Sequence, residues 1–150
     1  MRRLKAYVTA FLFQQGQVLL LKRSDRKTFA PGQWTGVGGG VLLDEFDDLQ
    51  QAVLREIFEE TGIRDVLELT LRAVDTKIEG IDVAVIFFYS AELPPSAADC
   101  FACMEAGTTT SEGSLHWVDP ADVESLPLIP NARQALNLVL TGDSSKVTFL

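Results

Sequence analysis

Seven consecutive residues, Val83-Ala84-Val85-Ile86-Phe87-Phe88-Tyr89, carry no charged or amide side chain, and six of them are β-branched or aromatic. A strand with one wet face alternates polar and apolar residues, and this run does not. It is expected at the centre of a sheet, buried on both faces. The segments around it supply the rest of a layered fold. Residues 7–13 and 18–22 are β-prone runs flanking Gln14-Gln15-Gly16-Gln17, which reads as a hairpin. Residues 24–34 are polar, contain Pro31-Gly32 and read as a loop. Gly36-Val37-Gly38-Gly39-Gly40-Val41 is too flexible for a helix and is expected to be a short strand entering a loop that exposes its backbone.

Residues 47–61 form the best helix in the chain, closed by Gly62. After it, Leu67, Leu69, Leu71 and Ala73 alternate with Glu68, Thr70 and Arg72, the pattern of a strand covered on one face. A long connection over 94–113, with one helical turn near 98–106, leads to a short strand at 115–118. Asp119 or Asp122 can cap a brief helix, and residues 131–140 make a second good helix with Ala132, Leu136, Val139 and Leu140 on one side. Strands on both sides of one helix, with another helix at the end, predict an α/β sandwich around a mixed sheet, with residues 1–150 as a single domain.

Charge excludes several functions. The net charge is −8, but residues 1–43 carry seven Lys/Arg against one acid, and residues 44–60 carry seven acids against one Arg. An acidic chain is a poor binder of nucleic-acid polymers. It can still take a small polyanion if a metal ion stands between protein and phosphate. Two cysteines cannot build a disulfide framework. The basic start Met1-Arg2-Arg3-Leu4-Lys5 is followed by an apolar run broken at Thr9 and Gln14, so no signal peptide is expected, nor any membrane span. The expectation is a cytoplasmic protein with no membrane partner.

The 47–61 helix carries a local conflict. On a helical wheel Leu49, Val53 and Ile57 form an apolar stripe, continued by Leu54 and Phe58, and Glu56, Glu59 and Glu60 crowd the arc beside it. Like charges three and four residues apart repel by roughly 0.2–0.5 kcal/mol per pair. The C-terminal end of the macrodipole disfavours each anion by roughly 0.3–1 kcal/mol more. One neighbouring cation, Arg55, cannot neutralise three carboxylates. A divalent ion with a preference for hard oxygen ligands can, which points to Mg²⁺ or Mn²⁺.

The run Arg55-Glu56-Ile57-Phe58-Glu59-Glu60-Thr61-Gly62-Ile63 resembles the second half of the Nudix box, G-x5-E-x7-R-E-U-x-E-E-x-G-U, where U is aliphatic. Gly39, five residues and Glu45 match its first half. Nine residues rather than seven separate Glu45 from Arg55, a two-residue insertion around Phe46-Asp47-Asp48. The resemblance implies an α/β/α sandwich and Mg²⁺-dependent hydrolysis of a nucleoside diphosphate linked to another group. By position it makes Glu56, Glu59, Glu60 and the Gly39 carbonyl metal ligands, with Glu56 alternatively the general base. It makes Arg55 the residue that orients these carboxylates, and Glu45 a structural or outer partner. Many members add one more acid from a loop outside the box, and Glu112 is placed for this, ahead of Glu105. Homodimers are common in the family.

The remaining candidates follow from chemistry and position. Lys22, Arg23, Arg26 and Lys27 precede the glycine loop and can hold substrate phosphates. Trp34 or Phe29 can stack on a base. Cys100 and Cys103 have C-x-x-C spacing, but His116 is the only histidine, so a four-ligand zinc site cannot be completed and the pair reads as incidental thiols. His116 reads as structural. Among substrates the resemblance favours a nucleoside or deoxynucleoside triphosphate. The extra motifs of ADP-ribose, dinucleoside polyphosphate and NADH-splitting members are absent. The rivals are an ADP-ribose or nucleotide-sugar hydrolase and a catalytically silent nucleotide sensor.

Overall fold

Eleven residues of β1, Leu4–Gln14, organise the architecture because this strand changes neighbours halfway along. Near its end it pairs antiparallel with β2 (Gln17–Arg23), and over Tyr7 to Ala10 it pairs instead with β4 (Val37–Gly40). Its other edge runs parallel to β6 (Asp82–Glu92), the strand of the uninterrupted apolar run. The computed structural model describes residues 2–95, 108–110, 112–143 and 145–150. The remaining strands are β3 (Trp34–Thr35), β5 (Leu67–Glu79), β7 (Thr108–Thr109), β8 (Gly113–Val118) and β9 (Thr148–Phe149). The sheet runs β7-β8-β2-β1-β6-β5-β9, with β3 on β2 and β4 on β1. The β1–β2 hairpin turns on Gln15 and Gly16, both with positive φ, a pairing whose twist suits antiparallel strands.

Helix α1 (Leu49–Thr61) covers one face and α2 (Pro130–Thr141) the other. Under α1 lie Val8, Leu12, Leu19 and Val37, packed against its own Val53 and Ile57. Under α2 lie Phe11, Leu20, Phe88, Ala132 and Leu136. The two cores alternate along β1, as period two requires. The expected α/β sandwich around a mixed sheet is therefore observed. Among the described residues no helix is long and apolar enough to cross a membrane.

Several local expectations are corrected. Leu54 and Phe58 do not extend the buried stripe; they are 37% and 40% exposed, because the face turned to the sheet is Ala52, Val53, Glu56 and Ile57. The Arg64 guanidinium lies 4.3 Å from the centre of the Phe58 ring. The alternation over 67–73 is broken: register shifts interrupt β5 on both sides of Thr70 and Leu71, Glu68 has φ 55°, and Arg72 is buried with Nη1 donating to Ser90 Oγ at 3.1 Å. A bulge moves every later side chain to the other face. In α2 the buried residues are Ala132, Ala135 and Leu136, while Leu140 lies at the surface. Asp119, not Asp122, caps the short 3-10 helix Pro120–Ser125 by accepting from the Ala121 N–H. Cys100, Cys103, Glu105 and the helical turn near 98–106 lie outside the described residues.

Candidate active site

Where β4 replaces β2 beside β1, the glycines of β4 run under the C-terminal half of α1. The approach is close enough that a Cβ on Gly39 would stand 2.5 Å from Glu56 Oε1. Only a residue without a side chain lets this helix bring a carboxylate down to the strand backbone. Glu56 is consequently 9% exposed, a charged group on the packing face of its helix.

Arg55 organises the surrounding acids. Its Nε and Nη2 donate to the two oxygens of Glu45 at 2.8 and 2.9 Å, and Nη2 also donates to the Gly40 carbonyl at 2.9 Å. Its Nη1 donates to Glu56 Oε1 at 2.8 Å and to Glu59 Oε2 at 3.2 Å. These five bonds match the five donors of a guanidinium. Glu45 is buried, and its Oε1 accepts from the Leu42 N–H at 2.9 Å. The 3-10 turn Leu43–Glu45 folds this carboxylate back onto α1, so the nine-residue spacing still delivers a two-pronged Glu45–Arg55 pair.

The carboxylates split electrostatically. Arg55 holds Glu45 below the usual carboxylate range, and Glu45 in turn raises the Arg55 pKa. Burial pushes Glu56 up in spite of its bond to Arg55, with Glu59 and Glu112 adding to the rise. Burial also pushes Glu60 up, against the effect of a hydrogen bond with Thr110. The second oxygen of Glu60, Oε2, is buried with no hydrogen-bond partner among the described residues. Buried acceptors in native proteins are normally satisfied, so this oxygen is available to a water or a cation.

These groups open onto a cavity of about 780 Å³ that reaches from α1 across to α2. Glu56, Glu59, Glu60 and Glu112 line its acidic side, and Arg23, Phe29, Lys77 and Asn131 line other walls. A neighbouring recess of about 700 Å³ is lined by Lys22, Arg23, Arg26 and Lys27. Oxygen donors around an orphaned buried carboxylate oxygen suit a hard divalent cation in chemistry. Among the described residues no three acidic, His or Cys side chains are already drawn together in a geometry that could hold one. Arg55 occupies Glu56 Oε1 and Glu59 Oε2 instead.

Most of the residues singled out in the sequence converge here. Gly39, Glu56, Glu59, Glu60, Glu112 and Arg23 line the main cavity, Arg26 and Lys27 line the recess, and Arg55 stands behind the acids. Trp34 does not join them. Its ring lies 4.9 Å from that of His116, and its backbone N–H donates to the Pro127 carbonyl. Phe29 is the cavity's exposed aromatic, with Arg23 and Lys77 within 5.5 and 5.0 Å of its ring centre. His116 bonds Ser114 Oγ at 2.8 Å, and burial lowers its pKa. Lys77 and Asn131 were not anticipated. Carrying the alternation of β5 past Ala73 points to Lys77; Asn131, whose Nδ2 donates to Asp75 at 3.1 Å, has no signal beyond its place in the first turn of α2.

This fold and this acidic helix define a class of enzyme, and comparison with known proteins names it. The NUDIX domain family model matches residues 2–139, and the chain belongs to the Nudix hydrolase family. It is 28% identical over 149 residues to the nucleoside triphosphatase NudI of Escherichia fergusonii, covering 91% of this chain and 96% of the relative. It is 26% identical over 147 residues to the uncharacterized Nudix hydrolase YvcI of Bacillus subtilis, covering 95% and 83%. Among solved structures, a MutT NUDIX hydrolase from Burkholderia pseudomallei superposes with a TM-score of 0.67 at 25% identity, over 92% of this chain and 99% of that one. Nudix hydrolases generally use divalent metal ions.

Proposed function

We propose that the chain hydrolyses a phosphoanhydride bond of a nucleoside or deoxynucleoside triphosphate, with Mg²⁺, or Mn²⁺ in its place, held by Glu56, Glu59, Glu60, Glu112 and the Gly39 carbonyl. The observation that carries this reading is the buried, unpartnered Oε2 of Glu60 among carboxylates that face one cavity. The likeness to a nucleoside triphosphatase supports the substrate class. The cavity volume falls within the range of small-ligand sites, roughly 300–1,000 Å³.

A bound divalent ion would neutralise phosphate charge and lower the pKa of the attacking water. The protein's own groups do the remaining work. Glu56 or Glu59 accepts the proton of that water at a carboxylate oxygen. Arg55, anchored on Glu45, keeps Glu56 and Glu59 oriented toward the cavity, where their oxygens would help to hold the ion. Arg23, Arg26 and Lys27 hold phosphate oxygens. Phe29, rather than Trp34, offers its ring to the base.

The test is release of pyrophosphate or phosphate from a panel of nucleoside triphosphates, ADP-ribose and nucleotide sugars, with and without Mg²⁺. Mg²⁺-dependent turnover of triphosphates is expected, reduced about 10²–10⁴-fold in Glu59→Gln. Turnover without metal, or an undiminished Glu59→Gln, overturns the mechanism. Preference for ADP-ribose or a nucleotide sugar overturns the substrate class. Metal-dependent nucleotide binding without turnover makes the chain a sensor.

A further inference from the structure

The acidic cavity and the basic recess are neighbours, and one ion pair stands in the wall between them. Lys27 Nζ lies 2.8 Å from Glu112 Oε2. Glu112 lines the cavity and Lys27 the recess. Their main chains are pinned. The Ser24 N–H donates to the Glu112 carbonyl at 3.1 Å, and the Lys27 N–H donates to the Ser24 carbonyl at 3.1 Å. Just after Glu112, Gly113 sits so near β2 that a Cβ there would strike the Lys22 carbonyl oxygen. The two side chains, by contrast, are 32% and 36% exposed and free to turn on fixed anchors.

Both partners have a competing attraction. Glu112 lies near enough to Glu56 and Glu60 for their charges to interact, so without a cation it is repelled from them. Lys27 shares its recess with Lys22, Arg23 and Arg26 against Asp25 alone, an electropositive pocket suited to phosphate. An ammonium on a flexible four-carbon stem is a point charge that changes partners without reorganising a planar fork.

We propose that Lys27 is a positioning residue that trades Glu112 for a substrate phosphate. In the free protein its ammonium neutralises Glu112 and keeps it apart from the other glutamates. When a phosphate occupies the basic recess, the ammonium turns to it and frees Glu112 to join Glu56 and Glu60 in holding the divalent ion. The cation site is thereby completed by the arrival of the polyphosphate. This inference rests on the functional reading above and adds to it the coupling between the two recesses.

The experiment is a double-mutant cycle on Lys27→Met and Glu112→Gln, read by calorimetry. With Mn²⁺ alone and no nucleotide, Lys27→Met tightens binding about two- to fivefold, the range of a partly exposed ion pair. Lys27→Arg returns it to the wild-type value. In the Glu112→Gln background Lys27→Met has no effect. Inorganic tripolyphosphate in excess chelator gives the mirror result: Glu112→Gln tightens its binding by a similar factor, and the gain vanishes once Lys27 is gone. In turnover, Lys27→Met raises KM far more than it lowers kcat. An unchanged Mn²⁺ affinity in Lys27→Met, or the same change with and without Glu112, overturns the exchange; the second result is plain removal of a nearby positive charge. Wild-type protein that binds no Mn²⁺ overturns the functional reading together with the exchange, whereas a failed cycle in a protein that binds Mn²⁺ overturns the exchange alone.

Discussion

Helices α1 and α2 are 13 and 12 residues long and cover opposite faces of one sheet, yet they are built to different ends. The buried residues of α2 are apolar: Ala132, Ala135 and Leu136. Its first helical position is Pro130, where the missing N–H is harmless, and no charge stands in its last turn. Helix α1 buries Ala52, Val53 and Ile57 in the same manner but adds Glu56 to the packed face and places Glu59 and Glu60 at its C-terminal end, the wrong end for anions. One helix is optimised for packing. The other surrenders part of that stability to hold carboxylates against the glycine strand, a conflict of the kind functional sites commonly carry.

The largest test of that contrast is catalytic. Glu56→Gln is expected to lower kcat/KM about 10²–10⁴-fold with the fold intact by circular dichroism; a tenfold effect or less would erase the distinction between the helices. Next comes packing. Leu136→Ala in α2 and Ile57→Ala in α1 should each lose about 2–5 kcal/mol in urea denaturation, because both side chains are fully buried. A much smaller loss at Ile57 would mean that α1 is held by its ionic network more than by its core. Third, Glu60→Met in metal-free protein removes an orphaned buried oxygen and an unfavourable dipole contact, and is expected to raise stability by about 1 kcal/mol while weakening Mn²⁺ binding.

The smallest effect concerns pH. The Glu45 pKa is lowered on folding, so its contribution to stability is present above the ordinary carboxylate pKa and is lost as pH falls through the folded value. Melting temperatures of the wild type should therefore drop more steeply on acidification below pH 4.5 than those of Glu45→Gln. Parallel curves would remove the Arg55 anchor from the account.

What could be read from the sequence divides along the same line. Local rules made α1, its Gly62 terminus, the β1–β2 hairpin and the central place of β6 legible, but β6 is not buried on both faces throughout: Val83, Val85 and Phe87 are only partly covered. The acids of α1 stood out because their spacing is unfavourable for an isolated helix, although a solvated charged face fits the same spacing. The pairing of Glu45 with Arg55 was not legible, since residues 46–48 fold as a turn in which the Asp48 N–H donates to the Glu45 carbonyl, and no count of spacing reveals it. The outward turn of Leu54 and Phe58 depends on which arc of α1 meets the glycine strand. The bulges of β5, and with them the burial of Arg72, came from pairing with β6. Trp34 and Phe29 could not be separated by composition; long-range contacts with Pro127 and His116 take Trp34 away from the cavity.

The exchange of neighbours along β1 has a consequence for how such a molecule could change its diet. Because the strand trades β2 for β4 midway, part of the cavity wall beside Glu56 is glycine main chain that brings no side chain of its own. The side chains of the cavity's rim come from three separate parts, with Phe29 on a loop, Lys77 on β5 and Asn131 on α2. Under the proposed function, exchanging those rim residues is expected to change which nucleotide is accepted while the acids of α1 stay in place, so appetite and blade could evolve independently.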